Sequence, residues 1–142
     1  MSELSMLIRP FAFVLVAMTL AAPAGANEER TRAAVEAASA WLALVDSGKA
    51  AEAYAAAGAD FRSTVSADAW IEAVDGRAAE LGRLQTRQPT KINYFPAPGE
   101  AESGDWVMIR FVSAFTERGQ VSETVTVIRY PEDWGVSGYY VR

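Results

Sequence analysis

The stretch DWVMIRFVSAF, residues 105–115, decides the fold because its apolar side chains alternate along the chain. Val107, Ile109 and Phe111 share one parity, whereas Trp106 and Arg110 share the other. A β-strand repeats every two residues, so this alternation predicts a strand with one face in the core. We expect the Val107 side of this strand to pack against helices.

Three further strands surround this stretch. Residues 84–95 predict an irregular edge strand, because Pro89 interrupts them and proline is confined to edges and bulges. Residues 121–130 and 136–142 are rich in Val, Thr and Tyr, which favours two more strands. The turn-forming residues 117–120 predict the hairpin before the third strand.

The residues before the strands predict helices instead. An apolar stripe at three- and four-residue steps predicts a first helix over 28–45. A shorter helix is expected over 50–57, and a third begins after Ser66 and ends at Gly82. Helices followed by strands indicate an α+β fold. We therefore expect one domain over 27–142, in which three helices pack on a curved, four-stranded antiparallel sheet of conical shape.

The start of the chain predicts export. Residues 11–22 form an apolar run, and Ala24 and Ala26 are small residues of the kind a signal peptidase reads. The pattern predicts a signal peptide over 1–26, cleaved between Ala26 and Asn27. The alternative is a retained membrane anchor, but a span needs roughly 20 apolar residues. The mature domain is then expected in the periplasm or outside the cell, and not in the membrane.

The composition restricts the possible chemistry. The chain has 13 basic and 18 acidic residues and a net charge of −5, which opposes binding to nucleic acid or an anionic membrane. It has no cysteine and no histidine, which excludes disulfides, histidine general bases and the usual zinc sites. We expect no cofactor and no metal, and we favour a binding domain over an enzyme.

Two segments carry a family resemblance. WLALVDSG (41–48) and WGVSGYYVR (134–142) resemble the exported bacterial family called domain of unknown function 4019, which ends in Trp-x-Val-x-Gly-Tyr-x-aliphatic-basic. Gly135 stands where that family usually has a basic residue. The resemblance implies export from a bacterium and a layout similar to the nuclear-transport-factor-2-like and cystatin-like folds. It transfers no catalytic residue.

Cone-shaped domains of this kind often enclose a pocket between the sheet and the helices. Aromatic rings with a few polar groups are typical of small-ligand sites. The alternative is that these aromatic side chains simply fill the core. The candidate ligand-binding residues are Trp70, Tyr94, Trp106, Arg110, Glu123 and Tyr139.

Glu123 is the most informative polar residue because it shares its parity with Val121 and Val125. A buried carboxylate must find a cation or become protonated. We expect its partners to be Arg110 on the neighbouring strand and Arg77 on the third helix. The residue is then either an acid with a raised pKa at a site or part of an ion pair that fixes helix on sheet. The second interpretation is favoured.

Several functions stay open at this point. The favoured one is a non-catalytic domain that binds a small molecule or an envelope protein. A hydrolase or isomerase that uses Glu123 is an alternative, and it requires that this carboxylate face an open cavity. A third is a self-associating module, whose exposed sheet face comprises Thr124, Thr126, Ile128 and Tyr140. An anion site is also possible, formed by Arg62, Arg77, Arg83 and Arg87. The residues do not indicate the oligomeric state.

Overall fold

The protein is described by a computed structural model that covers residues 25–99 and 103–142. Most of the predicted signal peptide, residues 1–24, lies outside the described residues. The first helix begins at Gly25, so the predicted cleavage point between Ala26 and Asn27 falls in its first turn. Within the described ranges, no helix is both long and apolar enough to cross a membrane.

Four helices precede the sheet within the described residues, one more than predicted. Their bounds are Gly25–Asp46 (α1), Ala50–Ala56 (α2), Ala59–Thr64 (α3) and Ala67–Leu81 (α4). The predicted N-cap of α4 is confirmed, because Ser66 Oγ accepts a hydrogen bond from Ala69 N. Helix α3 was not predicted because it has 6 residues and buries only Phe61, too little for a helical repeat to be recognised.

The sheet is open, antiparallel and four-stranded, as predicted. The strands are Leu84–Phe95 (β1), Trp106–Phe115 (β2), Gly119–Arg129 (β3) and Trp134–Val141 (β4), and their order is β1-β2-β3-β4. The register of β1 shifts between Pro89 and Lys91, so the prediction of an irregular edge strand is confirmed. Strand β4 forms the other edge. Helices followed by one such sheet confirm the α+β class.

The core lies between the helices and one face of the sheet. Val107, Ile109 and Phe111 are almost wholly buried, as their parity predicts. Two tryptophans connect the helices to one another: Trp41 Nε1 donates to Ala53 O at 2.9 Å, and Trp70 Nε1 donates to Ala50 O at 3.1 Å. Their rings stack with centroids 5.2 Å apart. Each indole N–H is therefore satisfied although its ring is buried.

The junction of α2 and α3 packs on the start of β4. Gly58 N donates a hydrogen bond to Val136 O at 2.8 Å. This contact requires glycine at Gly135, since a Cβ there lies 2.9 Å from Gly58 Cα and 2.7 Å from a ring atom of Tyr130. The first part of the β4 edge is therefore covered by the protein itself.

Candidate functional site

A cluster of buried and half-buried polar side chains connects the helices to the sheet. We call it the Glu123 cluster, and its members are Asp46, Arg77, Arg87, Ser113, Glu123 and Tyr139. They come from α1, α4 and all four strands. The cluster therefore fixes how the helices sit on the sheet.

Glu123 is fully buried at the centre of this cluster, and both of its oxygens are bonded. Oε1 accepts hydrogen bonds from Ser113 Oγ at 2.6 Å, Arg87 Nη2 at 2.7 Å and Arg87 Nε at 3.0 Å. Oε2 accepts from Arg77 Nη2 at 3.0 Å and from the Tyr139 hydroxyl. The carboxylate has no free lone pair directed at an open space.

Asp46, at the end of α1, is the second acid of the cluster. Its Oδ2 accepts from Arg87 Nη1 at 2.6 Å, and its Oδ1 accepts from Arg77 Nη2 at 2.9 Å. Two carboxylates thus share two guanidinium groups, so the formal charges cancel. A buried ion pair persists when its geometry and hydrogen bonds are complete, and here they are.

The pKa values agree with an acid that is ionised at neutral pH beside a neutral tyrosine. Burial alone raises the pKa of Glu123, but hydrogen bonds from Ser113 and Tyr139 and the charge of Arg87 outweigh it and hold this pKa below its ordinary value. Burial and the adjacent Glu123 charge raise the pKa of Tyr139 well above its ordinary value. The alternative of an acid with a raised pKa is therefore wrong.

One predicted partner of Glu123 is confirmed and the other is wrong. Arg77 binds the carboxylate, but Arg110 is exposed on the opposite face of the sheet, where it pairs with Thr124 in the register. The reason is the pleat, since Arg110 has the parity opposite to Phe111. Arg87 of β1 takes the place that was expected for Arg110, and the sequence analysis missed it.

The remaining candidate residues lie in three different places. Trp70 and Tyr139 contact each other, with ring centroids 6.3 Å apart, and the Tyr139 hydroxyl donates a hydrogen bond to Glu123. Tyr94 belongs to a separate cluster, where its hydroxyl donates to Asp105 Oδ2 at 2.7 Å. Trp106 lies on the outer sheet face and stacks on Phe95 at 3.8 Å. Trp106 and Arg110 therefore do not line a pocket under the helices.

The second cluster surrounds Asp105, which is 2% exposed. Its carboxylate also accepts from Arg30 Nη1 at 3.0 Å, Arg129 Nε at 3.2 Å and Ala97 N at 2.9 Å. Burial raises the pKa of Asp105, but the hydrogen bonds from Tyr94 and Ala97 and the nearby arginines lower it below its ordinary value. This cluster fixes the start of β2 to α1.

The four arginines of the suggested anion site do not converge. Arg77 and Arg87 each form ion pairs with the two acids of the Glu123 cluster. Arg62 Nη1 donates to the carbonyl oxygens of Ala55, at 3.0 Å, and Ala57. Arg83 is exposed. The anion-site alternative is therefore wrong.

An open groove lies between α4 and β4, directly beside the Glu123 cluster. Its volume is about 520 Å³. The residues that line it include Trp70, Ala73, Gly76 and Arg77 of α4 and Tyr139 and Val141 of β4. Tyr139 belongs to both the groove and the cluster, so the buried charges hold one wall of the groove in place. We call this site the α4–β4 groove.

In the part of the chain that the structure describes, no group of three or more His, Cys, Asp and Glu side chains is arranged to hold a metal ion.

A comparison with models of known protein families yields a match. The family described as "Protein of unknown function (DUF4019)" matches residues 37–139, which is more than half of the chain. The matched range contains every member of the Glu123 cluster. No curated protein matches the chain significantly.

Proposed function

The chain belongs to the family of proteins of unknown function DUF4019. We propose that it is a non-catalytic binding domain of the bacterial cell envelope. Its binding site is the α4–β4 groove. The family brings no activity with it, so the proposal depends on the geometry of the site.

The observation that carries this proposal is the complete bonding of Glu123. The enzyme alternative needs this carboxylate to face an open cavity, whereas the side chain is 0% exposed and held by two arginines. A carboxylate in this state holds Tyr139, and with it one side of the groove, in position. It does not exchange protons with a substrate. The adjoining groove, in contrast, is open, and it is lined by the half-buried ring of Tyr139 and by one side of the otherwise buried Trp70. Aromatic rings beside a few polar groups are typical of ligand sites.

The proposed export rests on the first 26 residues of the sequence. N-terminal sequencing of the form that resides in the cell is expected to begin at Asn27. A chain that begins at Met1 and stays embedded in lipid would contradict both export and the envelope location.

The binding role is tested by native mass spectrometry of the protein purified from its own host. We expect a co-purifying molecule or chain. Gly76→Trp should remove it, because a Cβ at Gly76 meets nothing within 4 Å and the new ring would enter the groove. The matched control is Ala79→Trp, an exposed position of α4 that does not line the groove. Equal binding by the wild type and Gly76→Trp would exclude the groove as the site.

A second candidate function, self-association, is supported by the outer face of the sheet. The helices pack on the other face, and this face carries the stacked rings of Phe95 and Trp106 together with the exposed Tyr140. Sedimentation of the full chain over a range of concentrations tests it. A dimer that Thr126→Lys dissociates would support the candidate, and a monomer at every concentration would exclude it.

A further inference from the structure

The α4–β4 groove lies along one of the two edges of the sheet, the edge formed by β4. Strand β4 ends the strand order, so one side of its backbone has no neighbouring strand among the described residues. The α2–α3 junction covers this edge at Val136, through the hydrogen bond from Gly58 N. Beyond that point, the edge of β4 borders the groove.

The register identifies which backbone groups point outward from this edge. Ser122 and Arg142 exchange two hydrogen bonds, N to O, both at 2.9 Å, so they form a hydrogen-bonded pair. Such pairs alternate with non-bonded pairs in an antiparallel ladder. Val141, which lies opposite Glu123, is therefore in a non-bonded pair, as is Tyr139. Their N–H and C=O groups point away from β3.

The residues that line the groove show that it opens on this edge. Tyr139 and Val141 have core-side parity, whereas Tyr140 and Arg142 have outer-face parity, and all four line it. Side chains from opposite faces of one strand border the same space only where that space runs along the strand edge. The groove thus meets the outward donors and acceptors of Tyr139 and Val141.

The opposite wall of the groove leaves room for a chain. Helix α4 presents the small residues Ala73 and Gly76 there, and both are exposed. A glycine inside a helix costs about 1 kcal/mol relative to alanine. No contact within the described protein explains it, since a Cβ at Gly76 would meet nothing within 4 Å. Close approach of another backbone is a physical reason for glycine at such a position.

We propose that the groove binds an extended segment of a partner protein, which adds to the sheet as a fifth strand beside β4. The inference rests on the proposed function and names the ligand class of the same groove. Alternating donors and acceptors along a strand edge are complementary to another extended backbone. Because α4 stands across the groove from the edge, the space admits a single chain and not the edge of a second folded sheet.

The charge at the rim indicates an acidic side chain in the bound segment. Arg118 and Glu80 form an ion pair at the surface. The guanidinium of Arg142 lies 4.8 Å from the ring centroid of Tyr140 and has no carboxylate partner in the described ranges. The guanidinium of Arg142 therefore offers a positive group at the rim that an aspartate or glutamate of the bound segment complements.

The test begins with short random peptides displayed on phage and selected on the full chain. We expect the selected peptides to be rich in β-branched and aromatic residues and to contain an acid. Val141→Pro should weaken their binding about ten-fold, because it removes one outward N–H without breaking a bond to β3. Val141→Ala keeps that N–H and serves as the matched control. Failure to select any peptide, or equal binding by Val141→Pro, would overturn the proposal.

A measurement on the wild type keeps the test independent of how Val141→Pro folds. In the free protein, the amide of Tyr140 should exchange slowly, because it bonds to β3, whereas those of Tyr139 and Val141 should exchange fast. A bound peptide should protect these two amides. Unchanged exchange at both positions with peptide bound would contradict strand addition.

The outcomes separate this inference from the proposed function. If a molecule from the host is lost from Gly76→Trp but retained by Val141→Pro, the groove binds a ligand and strand addition is wrong. If neither variant affects binding, both proposals are wrong. If Val141→Pro converts a dimer into a monomer, the groove binds a second copy of the chain. The proposal of a segment from a different partner protein is then wrong.

Discussion

Glu123 shows how a buried acid can be a structural residue in a protein that has no disulfide. Removing one partner of a buried ion pair leaves the others without compensation. Glu123→Gln is therefore expected to lower the free energy of unfolding by about 3 kcal/mol, as measured by urea denaturation. The control is Glu117→Gln, because Glu117 is exposed in the hairpin. An unchanged free energy for Glu123→Gln would contradict the structural role of the pair.

The depressed pKa values of Glu123 and Asp105 predict how stability depends on pH. Each lies below its unfolded value, so the stabilisation is complete above that value, about 4 for carboxyl groups, and is lost as the pH falls through the folded pKa. The urea midpoint should therefore be constant from pH 7 to about 5 and fall steeply below about 4. Glu123→Gln should flatten this fall. A midpoint that rises on acidification would contradict the assignment.

Some members of the Glu123 cluster could be predicted from the sequence and others could not. The burial of Glu123 followed from its parity, and Arg77 was correctly chosen from the helix that packs above it. Arg87 and Asp46 could not be chosen, because their proximity depends on the β1–β2 register and on where α1 ends. The prediction of Arg110 was wrong although this residue lies close to Glu123 on the neighbouring strand. The alternation of side chains along β2 places the Arg110 side chain on the outer face, opposite to Glu123.

Two glycines have opposite roles in their elements. Gly135 contacts Gly58 so closely that a Cβ has no space, whereas a Cβ at Gly76 lies in open space. Gly76→Ala should therefore raise the free energy of unfolding by about 1 kcal/mol, and Gly135→Ala should lower it. Thermal unfolding of the two variants measures both signs. Each variant is the other's control, and a shared sign would contradict this description of the β4 edge.

Elements with a repeated pattern were predictable, and the connections between them were not. The apolar stripe of α1 and the alternation of β2 extend over several repeats, so their faces followed from the sequence. Helix α3 is too short to show a repeat, and its place on β4 depends on the contact between Gly58 and Gly135. The α4–β4 groove could not be predicted, because one of its sides is the edge of a strand. Which strand lies at an edge depends on the strand order of the whole sheet and not on any one segment of the sequence.

At the scale of the molecule, the Glu123 cluster should make the helices and the sheet unfold together. Asp46 and Glu123 share both Arg77 and Arg87. Asp46→Asn and Glu123→Gln are therefore expected to be non-additive, with a coupling of about 1 kcal/mol in a double-mutant cycle. Urea unfolding of the four proteins provides the values. Strict additivity would mean that the two acids act independently.

The layout of the whole molecule was predictable from the order of its helical and strand patterns. The number of helices was not predictable, because α3 is too short to show a repeat. The likeness to the cone-shaped folds stays a prediction, as do export and location in the envelope.

The hydrogen bond from Gly58 to Val136 limits the length of β4 along which another chain can pair. Only the backbone groups after this point are free, so a bound segment forms few main-chain hydrogen bonds and dissociates quickly. Most affinity differences reside in the dissociation rate, which suits a short-lived encounter. The same hydrogen bond interrupts the β4 edge, and the register shift beside Pro89 interrupts the β1 edge. Neither edge therefore offers the uninterrupted strand to which identical chains could add.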